Sequence, residues 1–343
     1  MKKTTNNGFT LIELIVVVAV LAIIATIAIG KYEDIQKDAA RKANRSNINN
    51  ITSTINTYLA SEINHEGLFE YVEALVDLGS DGASWTGTAG DYDWSKNTDT
   101  EYPGIYAGIK YVPATISNAG GITSSSTGDL TTARKKNSGI PSKFRKNLGI
   151  HYLTQKEVDA LYEAGVSTVL MHNYTSGQAK GPASRYPLVV DTDDFCDENG
   201  LTYRNGGPGH RADMSAFYPV VLTNGSPVVV INPNQADIYR ALGVDYNITK
   251  DFNASTPDDY YSDGICPRLI VFGLGRSSDI TAKLFQSPPK MKTVDNSSYN
   301  NYLLVFSMKN GTGNTGYTTE FVGVIDSEGN TAKAAQYNLD WAN

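Results

Sequence analysis

Residues 9–29 read FTLIELIVVVAVLAIIATIAI, 21 residues in which Glu13 is the only charge. At ~1.5 Å per residue a helix of this length spans about 30 Å, the hydrocarbon thickness of a bilayer. It lies behind Met1-Lys2-Lys3 and a polar stretch ending Asn6-Asn7-Gly8, so the positive charge marks the side retained in the cytoplasm. The segment therefore enters a membrane, and the chain beyond it is exported.

The remaining composition bounds the function. With 343 residues and 41% apolar content the chain is long enough to build a real core, so disorder throughout is excluded. A net charge of −7 and a pI near 5.2 argue against nucleic-acid binding through bulk electrostatics. Only 19% of residues are charged, while 31 glycines and 21 tyrosines point to a β-rich exterior. Histidines 65, 151, 172 and 210 are scattered, which leaves little material for a His-rich metal centre.

Glu13 discriminates between readings of the amino terminus. A cleavable secretory signal would be shorter and would end in small residues, for which Ala25 to Gly30 could serve. A plain signal anchor explains the length but not the glutamate. A carboxylate at the centre of a membrane helix costs roughly 2.5–3.5 kcal/mol on insertion scales, less toward the interface, and such groups usually have a partner. Glu13 therefore requires a cation.

Cleavage after Gly8 would supply one. The run Gly8-Phe9-Thr10-Leu11-Ile12-Glu13, behind the basic Lys2 and Lys3, resembles the prepilin signal of the type IV pilin family. The resemblance covers roughly residues 1 to 60. It implies a membrane prepilin peptidase that cuts between Gly8 and Phe9 and methylates the new amino terminus of Phe9. Glu13 then becomes the fifth residue of the mature chain, as the family pattern requires. Glycine before the scissile bond lets the backbone enter the peptidase site. The free amine of Phe9 on one subunit is then neutralised by Glu13 of its neighbour, which converts two costly buried charges into a pair.

Beyond Gly30 the chain reads KYEDIQKDAARKANRSNINNITSTINTYLASEIN. Tyr32, Ile35, Ala39, Ala43, Ile48, Ile51, Ile55 and Tyr58 or Leu59 recur near helical spacing, which predicts an amphipathic helix whose apolar stripe packs on the exported domain. The resemblance implies one long helix, from about Phe9 to Ile63. Many family members carry proline where this chain has Gly30. Glycine costs a helix roughly 1 kcal/mol against about 3 for proline, so the helix is expected intact in the isolated subunit, with a point of bending at Gly30 in a filament. The organisation expected is a leader at 1–8, a membrane and filament-core helix at 9–29, its amphipathic continuation at 30–63 and an exported head at 64–343.

In the head, residues 79–129 are rich in breakers and predict a long surface excursion. Its Trp85, Tyr92, Trp94 and Tyr102 are expected to pin that excursion to the domain, with carbohydrate or subunit binding as the alternative. Thr154-Gln155-Lys156-Glu157 has capping-box spacing, with Gly165 past the helix end, and Gln235 to Leu242 forms a similar unit before Gly243. Ser167 to His172 reads as a strand. Tyr218 to Thr223 and Pro227 to Ile231 flank Asn224-Gly225, a strong hairpin signal. Arg268 to Phe272, Tyr302 to Met308, Glu320 to Ile325 and Thr331 to Tyr337 complete an antiparallel set. The fold expected is α+β: a long amino-terminal helix on an antiparallel sheet, with α/β elements inserted around residues 140–250.

Cys196 and Cys266 fall on the exported side, where a disulfide is expected. Across their 70-residue separation it would contribute about 3–4 kcal/mol in the chain-entropy estimate. Asp191, Asp193, Asp194 and Asp197 form the densest acidic cluster, a weak calcium candidate, because Phe195 occupies the place of a ligand in the EF-hand spacing. The glycine-rich runs at 206–209 and 273–275 lack phosphate-loop form, and no G-x-S-x-G elbow or C-x-x-C-H occurs. No cofactor, enzyme or nucleic-acid site is expected. The resemblance implies a structural pilin that is held in the inner membrane by a single pass and then assembled, with an inner-membrane platform, as a homo-oligomer in a helical surface filament. A secretion pseudopilin, or a minor pilin or tip adhesin that binds a surface or glycan, is the alternative. Removal of Lys2 and Lys3 moves the net charge from −7 to −9 over residues 9–343.

Overall fold

Helix α1 runs from Leu11 to Ser61, 51 residues and ~75 Å at the usual rise. The computed structural model describes residues 11–61, 67–77, 87–95, 103–105, 140–174, 215–246, 266–275, 278–285, 289–291, 299–310 and 316–333. The helix is unbroken at Gly30, where an added Cβ would meet nothing, so no neighbour demands glycine there. Polar hydroxyls are satisfied within the helix: Thr26 Oγ1 donates to the Ala22 carbonyl at 2.9 Å, and Thr54 and Thr57 make the same bond one turn back.

The apolar stripe expected along α1 divides in two. Ile48, Ile51 and Ile55 are buried in the core of the head, with Tyr58 and Leu59 packed against it. Tyr32 and Ile35 are 63% and 65% exposed, and Ala39 is exposed as well, so the head covers α1 only from about residue 40 onward. Polar clasps reinforce the docked part: Asn47 Nδ2 donates to the Tyr302 hydroxyl at 3.2 Å, and that hydroxyl donates to Asn44 Oδ1 at 3.4 Å.

Ten strands form one sheet among the described residues. In chain order they are β1 (Val72–Asp77), β2 (Tyr92–Asp93), β3 (Gly104–Ile105), β4 (Leu148–Tyr152), β5 (Thr168–Tyr174), β6 (Ser215–Val221), β7 (Pro227–Ile231), β8 (Arg268–Gly273), β9 (Leu303–Lys309) and β10 (Thr318–Ile325). Short helices intervene: α2 (Ser142–Arg145), α3 (Gln155–Glu163), α4 (Ala236–Leu242) and α5 (Asp279–Leu284). The order β2-β4-β7-β8-β1-β5-β6 forms the main path, and β9 joins β8 and carries β10. All pairings are antiparallel except β1 with β5, which is parallel. The elements inserted at 140–250 are therefore woven into this sheet. Strands β4, β7 and β8 are buried at every residue, as suits runs such as PVVVI and RLIVFG that are covered on both faces. Phe69, Phe272, Phe306 and Phe321 pack through the core, with ring centroids 4.9–5.8 Å apart.

Three sequence expectations are corrected. Asn224-Gly225 does form a turn, with Gly225 at φ 87, but β6 and β7 do not pair with each other. The backbone around the turn is engaged elsewhere: Leu222 N–H donates to the Ser167 carbonyl, and Gly225 N–H and the Ser226 carbonyl both bond Leu153. These bonds send β6 to β5 and β7 to β4. Thr331–Lys333 lies in a turn and does not start a strand, and residues 334–337 lie outside the described residues. Parts of the 79–129 excursion belong to the sheet, since β2 pairs with β4 and β3 with β1.

The capping box at Thr154 forms as expected, and its glutamate does more than cap. Glu157 is buried, and its Oε2 accepts from Thr154 N–H at 2.8 Å, from the Thr154 hydroxyl at 3.0 Å and pairs with His151 Nε2 at 2.8 Å. Its Oε1 accepts from Arg268 Nη1. Tyr92 covers the assembly, its ring stacked on His151 at 4.5 Å and lying 5.0 Å from the Arg268 guanidinium carbon. Burial pulls the Arg268 pKa down to about 9, which still leaves it cationic at neutral pH. One carboxylate thereby ties α3, β4 and β8 together under β2. Glycine makes the close fit possible, because a Cβ at Gly149 would collide with the Trp94 ring.

At the far end of β10, Asp326 is buried and accepts backbone N–H bonds from Glu328 at 3.0 Å and Asn330 at 2.8 Å. Burial nevertheless raises its pKa to about 7.

Arg268→Met should cost about 3–5 kcal/mol by leaving Glu157 as an uncompensated buried charge, and adding Glu157→Gln should recover most of that loss. Chemical denaturation of the detergent-solubilised chain measures both. Equal stability of the single and double variants would show that the pair does not hold these elements. For Asp326 the sign follows from linkage. Its folded pKa lies above the unfolded value near 3.8, so the folded state holds the proton more tightly and stability falls as pH rises from about 4 to 7. Asp326→Asn should therefore gain on the wild type in melting temperature between pH 4 and pH 8, and a difference independent of pH would refute the assignment.

Candidate functional site

The first half of α1 has no counterpart in the head. From Leu11 to Ile24 its large apolar side chains are between 49% and 75% exposed. Among the described residues α1 is the one helix long and apolar enough to cross a membrane, and none of its apolar window is buried by the rest of the chain. The helix is apolar on all sides there because valine, leucine and isoleucine fill every azimuth, which fits a lipid or protein surround and not water. Glu13 lies in the first helical turn, where a carboxylate complements the helix dipole by typically 0.3–1 kcal/mol at exposed sites. Gly8 and Phe9, the expected cleavage pair, lie outside the described residues.

Past Gly30 the surface changes character. Lys31, Lys37 and Lys42 are exposed and Arg41 and Arg45 half-buried, five cations that outnumber Glu33, Asp34 and Asp38 in the same stretch of a chain of net charge −7. Arg41 sits 3.7 Å from Asp38 one turn away, a surface pair of small energetic value. The stem thus joins an apolar span to an acidic head through a mixed-charge helix with a small excess of cations.

The head positions the other sequence candidates unequally. Asp191, Asp193, Asp194, Asp197 and Cys196 lie outside the described residues. Cys266 is buried beside Tyr239, and burial raises its thiol pKa to about 12. Tyr92 and Trp94 are half-buried and packed on the core, so among the excursion aromatics these two pin the chain, while Trp85 and Tyr102 lie outside the described residues. No group of three His, Cys, Asp or Glu side chains among the described residues could hold a metal ion.

Sequence reading missed the buried cluster of His151, Glu157 and Arg268. Its one legible sign is the glutamate of the capping box, since the partners come from β4 and from β8, 111 residues away. All three side chains are at most 5% exposed, so the cluster is sealed from any ligand and acts as a structural tie.

Residues 3–29 match the family model described as the prokaryotic N-terminal methylation motif. No curated protein and no solved structure matches the chain. The matched stretch contains Lys3, Gly8, Phe9 and Glu13 and ends with the apolar segment at Ile29. It indicates processing by a prepilin peptidase, fits insertion into a membrane and points to a structural protein. With its long α1 on a mixed, mainly antiparallel sheet, the chain has a prepilin-like class III signal on a pilin-like α+β fold.

Proposed function

We propose that this chain is a structural subunit of a type IV pilus or a closely related extracellular filament. The observation that carries the reading is the coincidence of the methylation motif with a helix whose apolar half its own head leaves bare. The prepilin is held in the inner membrane by residues 9–29 and cut after Gly8. The helix then passes from lipid into the core of a fibre, where it again meets apolar surroundings. There the amine of Phe9 on one subunit pairs with Glu13 of the next, which draws subunits together and sets their stagger. Disulfide pairing of Cys196 with Cys266 belongs to the same proposal. The buried, weakly acidic Cys266 thiol is a poor nucleophile in the folded head, so the bond would form during folding.

A second reading has one observation in its favour. The head, residues 64–343, is large for a subunit repeated along a fibre, which suits a minor pilin or adhesin at the tip. The stoichiometry of purified fibres separates the two.

Mass spectrometry of sheared surface material should show a chain that begins at N-methylated Phe9; an intact Met1, or cleavage near Gly30, overturns the assignment. Glu13→Val should leave insertion and processing unchanged while reducing incorporation into fibres at least tenfold. Normal fibre yield from that variant would remove the charge-pairing mechanism.

A further inference from the structure

Among the described residues of the head, two large apolar side chains are exposed, Val221 at 54% and Tyr162 at 37%. They meet at one residue. Val221 ends β6 beside the fully buried Leu222, and the Tyr162 hydroxyl donates to the Leu222 carbonyl at 2.6 Å. That bond fixes the ring at the surface, so Tyr162 loses little freedom when a ligand stacks on it.

A second aromatic joins them through the backbone. Val221 pairs across the ladder with Thr168, and the Thr168 carbonyl accepts from the Tyr71 N–H at 2.8 Å. Tyr71 is half-buried and holds φ at 59, in the left-handed region that a bulky residue seldom enters. Its neighbour Glu70 clamps the same spot, since the two carboxylate oxygens accept from the Ser167 and Thr168 N–H groups at 2.8 and 2.7 Å. The end of β6, the start of β5, the last turn of α3 and residues 70–71 therefore form one preset surface.

Charge decides what fits it. Asp159 is exposed one turn before Tyr162 on α3, and the Asp279 N–H at the start of α5 donates to the Glu70 carbonyl at 3.0 Å. Burial, with the charges of Glu70 and Asp279, raises the Tyr71 pKa, and burial, with Glu70 and Asp159, raises that of Tyr162. Lys283, 3.8 Å from Asp279, offsets one of these three carboxylates. The rings thus lie in a negative field, and an aromatic face attracts cations in its own right. The same field disfavours an anionic partner, and a purely apolar one would dehydrate the carboxylates without pairing them.

We propose that the Tyr162–Val221–Tyr71 surface docks a basic segment of a partner polypeptide, taking a lysine or arginine side chain over the tyrosine rings and an apolar neighbour against Val221. The exposed apolar area is small, so the complex is weak and transient. The surface uses no residue of α1, so docking does not depend on assembly into a fibre.

The test uses the full-length chain in a non-ionic detergent and a fluorescent peptide of alternating lysine and alanine, beside a glutamate and alanine peptide of the same length. The lysine peptide should bind saturably and lose affinity as salt is raised, whereas the glutamate peptide should not bind. Tyr162→Ala should weaken binding about fivefold, Val221→Ser about twofold and Asp159→Asn, which keeps an acceptor for Gln155, about threefold. Positions 159 and 221 are exposed, so their variants decide the matter if Tyr162→Ala lowers the melting temperature. Ile35→Ser on the stem should leave affinity unchanged. Failure of the wild type to bind, equal binding of the two peptides, undiminished affinity in either Asp159→Asn or Val221→Ser, or an equal loss from Ile35→Ser overturns the proposal.

Discussion

Between Leu11 and Ile35 the large apolar side chains described along α1 stay exposed beside their own head, and water does not tolerate that arrangement. At ~25 cal/mol per Å² of exposed apolar area, a helix of this kind carries a driving force of many kcal/mol toward lipid or toward another protein. The fold cannot relieve it. The sheet is already covered where α1 lies on it, from about residue 40 onward, and the helix points away from the core before that. The described structure accommodates this constraint by seating the second half of α1 in the core of the head and leaving its first half uncovered.

Seating has to be firm because the exposed half acts as a lever on the docked half. Three isoleucines enter the core, and Tyr302 on the sheet side is bracketed by Asn44 and Asn47 at the point where the helix leaves the head. Elsewhere in the head, the sheet is tied by Glu157, which satisfies a helix cap, a histidine and an arginine at once. Buried ion pairs give little net stability over apolar replacements, so the role of this one is better described as registration. It fixes α3 against β4 and β8, and Tyr92 closes over it from the excursion at 79–129.

Much of this was legible in the sequence, and the exceptions have physical reasons. The long apolar helix, the capping box at Thr154 and most of the strands follow from local composition and spacing, and the structure retains them. The hairpin at Asn224-Gly225 does not form because turn propensity is a local quantity, whereas the choice of partner strand was made by Ser167 and Leu153. The stripe on α1 divides for a different reason. Helical periodicity detects apolar residues three or four apart, but phase drifts across a polar interval, and between Ala43 and Ile48 the apolar face changes sides. Arg268 was invisible as a partner of Glu157 because nothing local links residues 111 apart in sequence.

That change of side separates two apolar faces that one surface cannot serve. The helix meets the head through Ile48, Ile51 and Ile55, and at ~100° per residue Tyr32 and Ile35 project from nearly the opposite side, 63% and 65% exposed. No small shift of the head along α1 covers the second face, because the core that fills the first lies on the other side of the helix. The apolar character of α1 past Gly30 therefore has to be accounted for by surroundings other than this head.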